Sequence, residues 1–99
     1  METPKTIKSL LKIKQISQKE LANRIGKSEV AVSQILNGKY SPHPKTMDEI
    51  AEVLGVPVPV ITFLSLEESD IPKAKREVFK LLKPSIINLL DEVFNLEEK

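Results

Sequence analysis

The chain has 99 residues, of which 40% are hydrophobic and 29% charged, and this composition is typical of one small globular domain with room for a short appendage. It contains no cysteine, which excludes a disulfide scaffold and a cysteine-ligated zinc site and fits a reducing compartment. No apolar run approaches the roughly 18 residues of a membrane span, and the N-terminus lacks the apolar segment of a signal peptide. We therefore expect a soluble, cytoplasmic protein.

The net charge of +1 conceals an uneven distribution along the chain. Residues 1–48 carry nine Lys and Arg against four Asp and Glu, a balance of +5, whereas residues 49–99 carry six against ten, a balance of −4. A basic first half can hold a polyanion on one side of the molecule, although such a charge run also occurs on surfaces that are only solvated.

The first half of the sequence reads as short helices separated by Gly and Pro, without a segment of strand periodicity. Thr3 and Pro4 predict the N-cap and first residue of the first helix. Ser17 and Glu20 form a capping-box pattern at the start of the second helix. Gly26 supplies its C-terminal stop, where a positive φ is required.

Three more helices are predicted beyond this point. Ser28 caps a third helix that runs from Glu29 to about Asn37 and stops at Gly38. The prolines of the loop "KYSPHPK" prevent its continuation. A fourth helix ends at Gly55, and "VPVPVITFLS" predicts a short fifth. The predicted core consists of the apolar residues at helical spacing: Ile7, Leu10, Leu11, Leu21, Ala22, Ile25, Val32, Ile35, Leu36, Met47, Ile50, Ala51, Leu54, Val60, Ile61, Phe63 and Leu64.

The short connection between the second and third helices has a mechanical consequence. Two helices joined by a glycine turn of a few residues cross steeply, and the small Ala22 lets them approach closely. The third helix then presents one face away from the domain, and such a face fits the major groove of B-DNA. The pattern therefore predicts a helix-turn-helix, with the second helix braced on the DNA backbone and the third at the base edges.

The stretch "SQKELANRIGKSEVAVSQILNGK", followed by Pro42, Thr46-Met47 and "IAEVLGV", resembles the phage-repressor-type helix-turn-helix family, also called Cro-like or XRE. The resemblance covers residues 6–64. It implies an all-α fold, a five-helix lambda-repressor-like DNA-binding domain that is usually a dimer on a two-fold operator. The residues that carry it are Ser17, Gln18, Leu21, Ala22, Gly26, Ser28, Val32, Ile35, Asn37, Gly38, Pro42, Ala51, Leu54 and Gly55.

The resemblance also implies roles for individual residues. A Gln at the place of Gln18 contacts a phosphate, the exposed residues of the third helix approach bases or nearby phosphates, and the residues after that helix meet the backbone. From their own positions, the lysines beside the helix ends are expected to add phosphate contacts as a set, and Tyr40 is expected either to donate to a phosphate or to cap its loop. The predicted DNA-binding residues are Gln18, Lys19, Lys27, Ser28, Glu29, Val30, Ser33, Gln34, Asn37, Lys39, Tyr40 and Lys45.

The first turn of the third helix departs from the family pattern. Members often carry Gln, Arg, Ser or Thr there, whereas this chain has Glu29, Val30 and Ala31. Glu29 can accept a hydrogen bond from a cytosine amine, and Val30 and Ala31 can touch a thymine methyl group. The alternative is that Glu29 only complements the helix dipole, as acids in a first turn do. Both interpretations stay open at this point.

The tail follows a polar break after Leu66 and is amphipathic at helical period. Pro84 predicts a break or kink near Lys83. The apolar stripe is too broad for an ordinary surface helix, which favours a pair of helices for dimerisation or partner binding over a tail that folds back on the domain. The predicted interface residues are Val78, Phe79, Leu82, Ile86, Leu89, Leu90, Val93 and Phe94.

These observations predict a DNA-binding domain at residues 1–66 and a helical extension at residues 67–99. The favoured function is a sequence-specific transcriptional regulator, a repressor, that acts as a homodimer on double-stranded DNA. The alternative is an antitoxin that represses its own operon and binds a toxin protein through residues 72–97. We expect no enzymatic activity, cofactor, metal or membrane, since the lone His has no partner in the sequence and each Gly is a helix stop.

Overall fold

Six α-helices follow one another along residues 1–97, the part of the chain that the computed structural model describes, and no strand occurs there. This confirms the all-α prediction. Two single 3-10 turns, Glu68–Asp70 and Lys73–Lys75, connect the fifth helix to the sixth. The helices are α1 (Thr3–Ile13), α2 (Gln18–Ile25), α3 (Glu29–Leu36), α4 (Pro44–Leu54), α5 (Val58–Ser65) and α6 (Arg76–Phe94).

The helices begin where the capping residues and prolines of the sequence predict, with two differences at α1 and α2. Ser17 Oγ accepts a hydrogen bond from the Glu20 backbone N–H at 3.0 Å, as predicted for the start of α2. The carboxylate of Glu20 does not complete a capping box but pairs with Arg24 at 3.4 Å. The N-cap of α1 is Glu2, one residue earlier than predicted, because the fixed φ of proline suits the second helical position as well as the first.

The turn between α2 and α3 depends on one glycine. Gly26 has φ +71°, and the next residue, Lys27, donates its backbone N–H to the Ala22 carbonyl at 2.9 Å. This left-handed residue reverses the chain within two residues of the end of α2, so that α3 can begin at once. An added Cβ would meet no atom within 4 Å. Only the backbone conformation therefore demands glycine at this position.

We accordingly expect Gly26→Ala to lower the free energy of unfolding by about 1–2 kcal/mol, the cost of holding an L-residue in the left-handed region. Gly26→Asn is the matched control, and it should cost less because asparagine tolerates this conformation. Urea unfolding followed by circular dichroism measures both. Equal stability of Gly26→Ala and the unchanged protein would contradict this account of the turn.

The core lies between α1, α2, α3, α4 and α5 and receives one residue from beyond α6. Most predicted core residues are buried or packed against the buried cluster. Phe63 is the exception, because it is half-buried and meets Phe79 of α6 edge to face, with ring centroids 6.4 Å apart. The buried cluster is Ile7, Leu10, Leu11, Leu21, Ala22, Ile25, Val32, Leu36, Ile50, Ala51, Leu54, Val56, Ile61 and Leu96.

The sixth helix continues through its proline, so the predicted break near Lys83 and the predicted pair of helices are wrong, while a kink at that place stays a prediction. Pro84 removes one backbone donor inside a helix of 19 residues, which is unfavourable in isolation. Tertiary contacts on both sides compensate. Phe79 packs on α5 before the proline, Lys83 Nζ donates to the Leu66 carbonyl at 3.1 Å, and Phe94 packs against the core after it.

Ion pairs hold the connection between α5 and α6 to its surroundings. The Met1 ammonium lies 2.9 Å from Glu67 and 3.2 Å from Asp70, and Lys80 lies 3.0 Å from Glu68. The hydrogen bond from the Glu67 backbone N–H, with help from the Met1 ammonium, lowers the pKa of Asp70. The hydrogen bond to Glu68 raises the pKa of Lys80. These groups are solvent-exposed, so each pair adds little to stability.

The end of α6 turns back into the domain. Asp91 Oδ1 accepts backbone hydrogen bonds from Leu96 at 2.7 Å and Glu97 at 3.0 Å, which directs the Leu96 side chain into the core. Lys14 at the end of α1 also donates to the Phe94 carbonyl. One face of the tail therefore packs on the helices before it. The predicted division at residue 66 stays a prediction, and so does pairing of the tail with another chain.

Candidate nucleic-acid interface

The third helix is packed on one side and open on the other. Val32, Ile35 and Leu36 are buried against the domain, as their spacing predicted. On the other side Val30 is 67% exposed, although it is apolar and lies in the first turn. Glu29 and Asn37 are also exposed, whereas Ser33 and Gln34 are half-buried. This side of α3 is convex and mixed in polarity, as a helix that enters a groove requires.

The cap of α3 occupies one of the predicted contact residues. Ser28 Oγ accepts a hydrogen bond from the Ala31 backbone N–H at 3.1 Å. The serine oxygen therefore serves the helix start, while its hydroxyl hydrogen can still be donated to a phosphate oxygen. Because Ser28 caps the helix, Glu29 is not required for capping.

A shallow groove of about 540 Å³ runs between the start of α2 and the start of α3. Lys19 and Lys27 border it together with Glu29, although the three residues come from different parts of the motif. Glu20 also borders the groove. Two ammonium groups and two carboxylates thus line one groove at the entrance to α3, and the positive charge of the lysines reduces the repulsion that an isolated Glu29 would exert on a phosphate.

The far end of α3 is fixed by a residue that the sequence analysis did not single out. Lys8 Nζ on α1 donates to Asn37 Oδ1 at 3.1 Å, and Asn37 Nδ2 donates to Ser33 Oγ at 3.3 Å. Lys8 and Asn37 lie 29 positions apart. No local pattern reveals such a pair; the only available signal was a lysine on the polar face of α1.

The remaining predicted contact residues lie at helix ends. Lys39 Nζ is 6.0 Å from the centre of the exposed Tyr40 ring, directly after α3. Gln18 and Lys45 are exposed in the first turns of α2 and α4. Backbone N–H groups at helix starts favour phosphate, so Gln18 and Lys45 each stand beside a local electropositive site. Basic or amide side chains thus occur at both ends of α3.

A family model described as helix-turn-helix matches residues 7–61, more than half of the chain. The chain belongs to the XRE-type helix-turn-helix family. The match spans most of α1, all of α2 to α4 and the first half of α5, so it confirms the family and the lambda-repressor-like fold that the sequence resembles. Searches of curated proteins and of solved structures gave no significant match.

Membership of the XRE-type family makes the chain a DNA-binding helix-turn-helix regulator. The individual DNA contacts stay predictions. Within residues 1–97, no cluster of three or more His, Cys, Asp and Glu could hold a metal ion, and no helix is long and apolar enough to cross a membrane.

Proposed function

We propose that this XRE-type regulator is a repressor that inserts the exposed side of α3 into the major groove of a specific duplex site. The observation that carries the proposal is the placement of positive side chains around both ends of α3, with an exposed, mixed face between them. Phosphates flank the base edges on both sides of a groove, and the α3 region reproduces this order. A bound copy represses by excluding other proteins from the same DNA.

The contact residues fall into two groups, those proposed to contact bases and those proposed to contact phosphates. Glu29 and Val30 lie in the first exposed turn of α3 and are proposed to meet bases, since a carboxylate accepts from a cytosine amine and an isopropyl group fits a thymine methyl. The other members of the set are proposed to meet phosphates and fix the register of the protein on DNA. These phosphate-contacting residues are Gln18, Lys19, Lys27, Ser28, Asn37, Lys39, Tyr40 and Lys45. Ser33 and Gln34 are proposed to approach either a base or a nearby phosphate.

The antitoxin alternative uses the same face of α3. It differs in requiring a toxin protein on the tail, and the exposed apolar side chains of α6 are the observation that favours it. Purification from the native host separates the two functions, because an antitoxin should bring down a small basic partner in a fixed ratio. Recovery of the chain alone, in a form that represses a reporter, supports the repressor.

Salt dependence tests the phosphate contacts. Lys19, Lys27, Lys39 and Lys45 are each proposed to contact one phosphate, and each such contact contributes about 0.9 to the salt dependence. A plot of the logarithm of the binding constant against the logarithm of the salt concentration should therefore have a slope of about −3.6 per bound copy. Lys39→Ala should reduce this slope by about 0.9 and weaken binding to every sequence alike. Fluorescence anisotropy with labelled duplexes measures both quantities.

The matched control is Lys80→Ala, which removes the same charge from α6, where Lys80 is paired with Glu68. It should leave the slope unchanged. If Lys39→Ala also left the slope unchanged, Lys39 would be excluded from the contact set. An affinity independent of salt in the unchanged protein would contradict phosphate binding as a whole.

A further inference from the structure

The sixth helix carries a second apolar surface in addition to the one that packs on the domain. The domain-facing side contains Phe79, which meets Phe63, together with Leu90 and Phe94, which pack against the core. The second surface, here called the outer stripe, is between 37% and 72% exposed along its whole length. The outer stripe consists of Val78, Leu82, Ile86, Leu89 and Val93.

At 100° per residue, the centre of the outer stripe lies about 90° around the helix from the centre of the domain-facing side. Ile86 lies next to the domain-facing side, but the other four members lie further round the helix and are 50–72% exposed. Five apolar side chains in a row are costly to leave in water, and a contiguous patch of this kind marks an interaction surface.

The spacing of the outer stripe indicates what covers it. Leu82, Ile86, Leu89 and Val93 are separated by four, three and four residues, which is the seam of a two-stranded coiled coil. This order reads the same in both directions about a point between Ile87 and Asn88. An antiparallel second copy would therefore place Leu82 opposite Val93 and Ile86 opposite Leu89, so that these four apolar positions pair with one another. Such self-complementarity is what a two-fold interface requires.

The charges along the same segment select the same arrangement. Within α6, residues 76–85 carry three Lys and Arg against one Glu, a balance of +2, whereas residues 86–94 carry two Asp and Glu and no base, a balance of −2. Two parallel copies would bring like charges together along the whole length. Two antiparallel copies bring the basic half of each helix to the acidic half of the other.

We propose that α6 pairs antiparallel with α6 of a second copy of this chain through the outer stripe. A toxin or other unrelated protein needs neither a palindromic seam nor a reversal of charge at its midpoint, so a second copy fits these features better than a foreign partner. The inference deepens the proposed function and rests on it in one respect only, that the pair presents two α3 helices to one operator. The named contacts of α6 fall on α1, α5 and the connecting segment, while α3 packs on α1 and α2.

Single cysteines test the orientation, since the chain has none of its own. In the antiparallel pair, two copies of position 82 are separated by about 16 Å, eleven residues at 1.5 Å each, whereas position 82 of one copy faces position 93 of the other. A disulfide requires Cα atoms within about 7 Å. We therefore expect mild oxidation to cross-link a mixture of Leu82→Cys and Val93→Cys as the heterodimer, and neither variant alone.

Cross-linking of Leu82→Cys or Val93→Cys with itself as efficiently as in the mixture would overturn the antiparallel arrangement. The pairing itself would be overturned if no cross-link formed and the unchanged protein were monomeric at about 100 µM, a concentration at which weak interfaces form. A heteromeric complex with another protein on the outer stripe, and no homodimer, would overturn it in favour of a foreign partner.

A charge variant with a matched control supplies the second measurement. Leu89 is 72% exposed on the outer stripe and Leu81 is 78% exposed about 100° away from it, so glutamate at either position leaves the core intact. Leu89→Glu should be monomeric by sedimentation at a concentration where Leu81→Glu and the unchanged protein are dimers. Dimers of Leu89→Glu as stable as those of Leu81→Glu would contradict the proposal.

DNA binding separates failure of this inference from failure of the proposed function. If Leu89→Glu is as dimeric as the unchanged protein while specific DNA binding is intact, only the α6 pairing is wrong. If Leu89→Glu is monomeric as expected but the unchanged dimer binds no duplex DNA, the pairing stands and the proposed function is wrong.

Discussion

Leu96→Ala is expected to lower the free energy of unfolding by about 2–5 kcal/mol, the range observed when a buried leucine is truncated and leaves a cavity. Leu96 is only 5% exposed and belongs to the same buried cluster as the residues of α1 to α5. It is also the point where the tail enters that cluster. The substitution therefore removes packing from the domain core and the main anchor of the end of α6.

The control for this substitution is Leu89→Ala, which removes the same atoms from a side chain that is 72% exposed. It should change the stability of the monomer by no more than about 0.5 kcal/mol. Urea titration at low protein concentration keeps dimer formation from contributing. Equal effects of the two substitutions would show that Leu96 does not belong to the core and that the tail is independent of the domain.

Glu29→Gln is expected to change the base preferred at one position of each half-site, by about 1–3 kcal/mol, if the carboxylate accepts from a cytosine amine. The geometry favours this reading over a purely structural one, because Ser28 already caps α3 and Lys19 and Lys27 share the groove with Glu29. If Glu29 served only the helix dipole, its replacement would alter stability by about 0.3–1 kcal/mol and strengthen binding to all sequences equally.

Glu20→Gln provides the comparison, since Glu20 borders the same groove but belongs to α2 and pairs with Arg24. It removes the same charge and should affect all sequences alike. The measurement is a panel of operator duplexes that differ at single base pairs, titrated with each variant. A uniform increase in affinity for Glu29→Gln across the panel would contradict base readout by Glu29.

The first five helices were predictable because their signals are local. Ser17 and Ser28 accept the backbone hydrogen bonds that a capping serine is expected to accept, and Gly26 has the positive φ that its place at a helix end requires. The apolar spacing of α3 then fixed which side is buried. The exposed side followed from that, so the location of the candidate DNA-contacting face needed no long-range information.

The tail and the far end of α3 were less predictable because their contacts are distant in sequence. Local sequence preferences predict a helix break at Pro84, because proline removes a backbone donor. Packing on α5 and on the core keeps α6 continuous. Leu96 falls on the apolar periodicity of the tail but is turned into the core by Asp91 after the helix has ended. The pair of Lys8 and Asn37 likewise depends on how α1 crosses α3.

Selection of binding sites from random duplex DNA tests the central claim most directly, that two copies of α3 read a specific sequence in the major groove. We predict enrichment of an inverted repeat whose half-sites lie about 10–10.5 base pairs apart, centre to centre, or a multiple of that distance. The spacing follows from two symmetry-related helices on one side of the duplex. A library that emerges without enrichment, or with a single unpaired half-site, would contradict the claim.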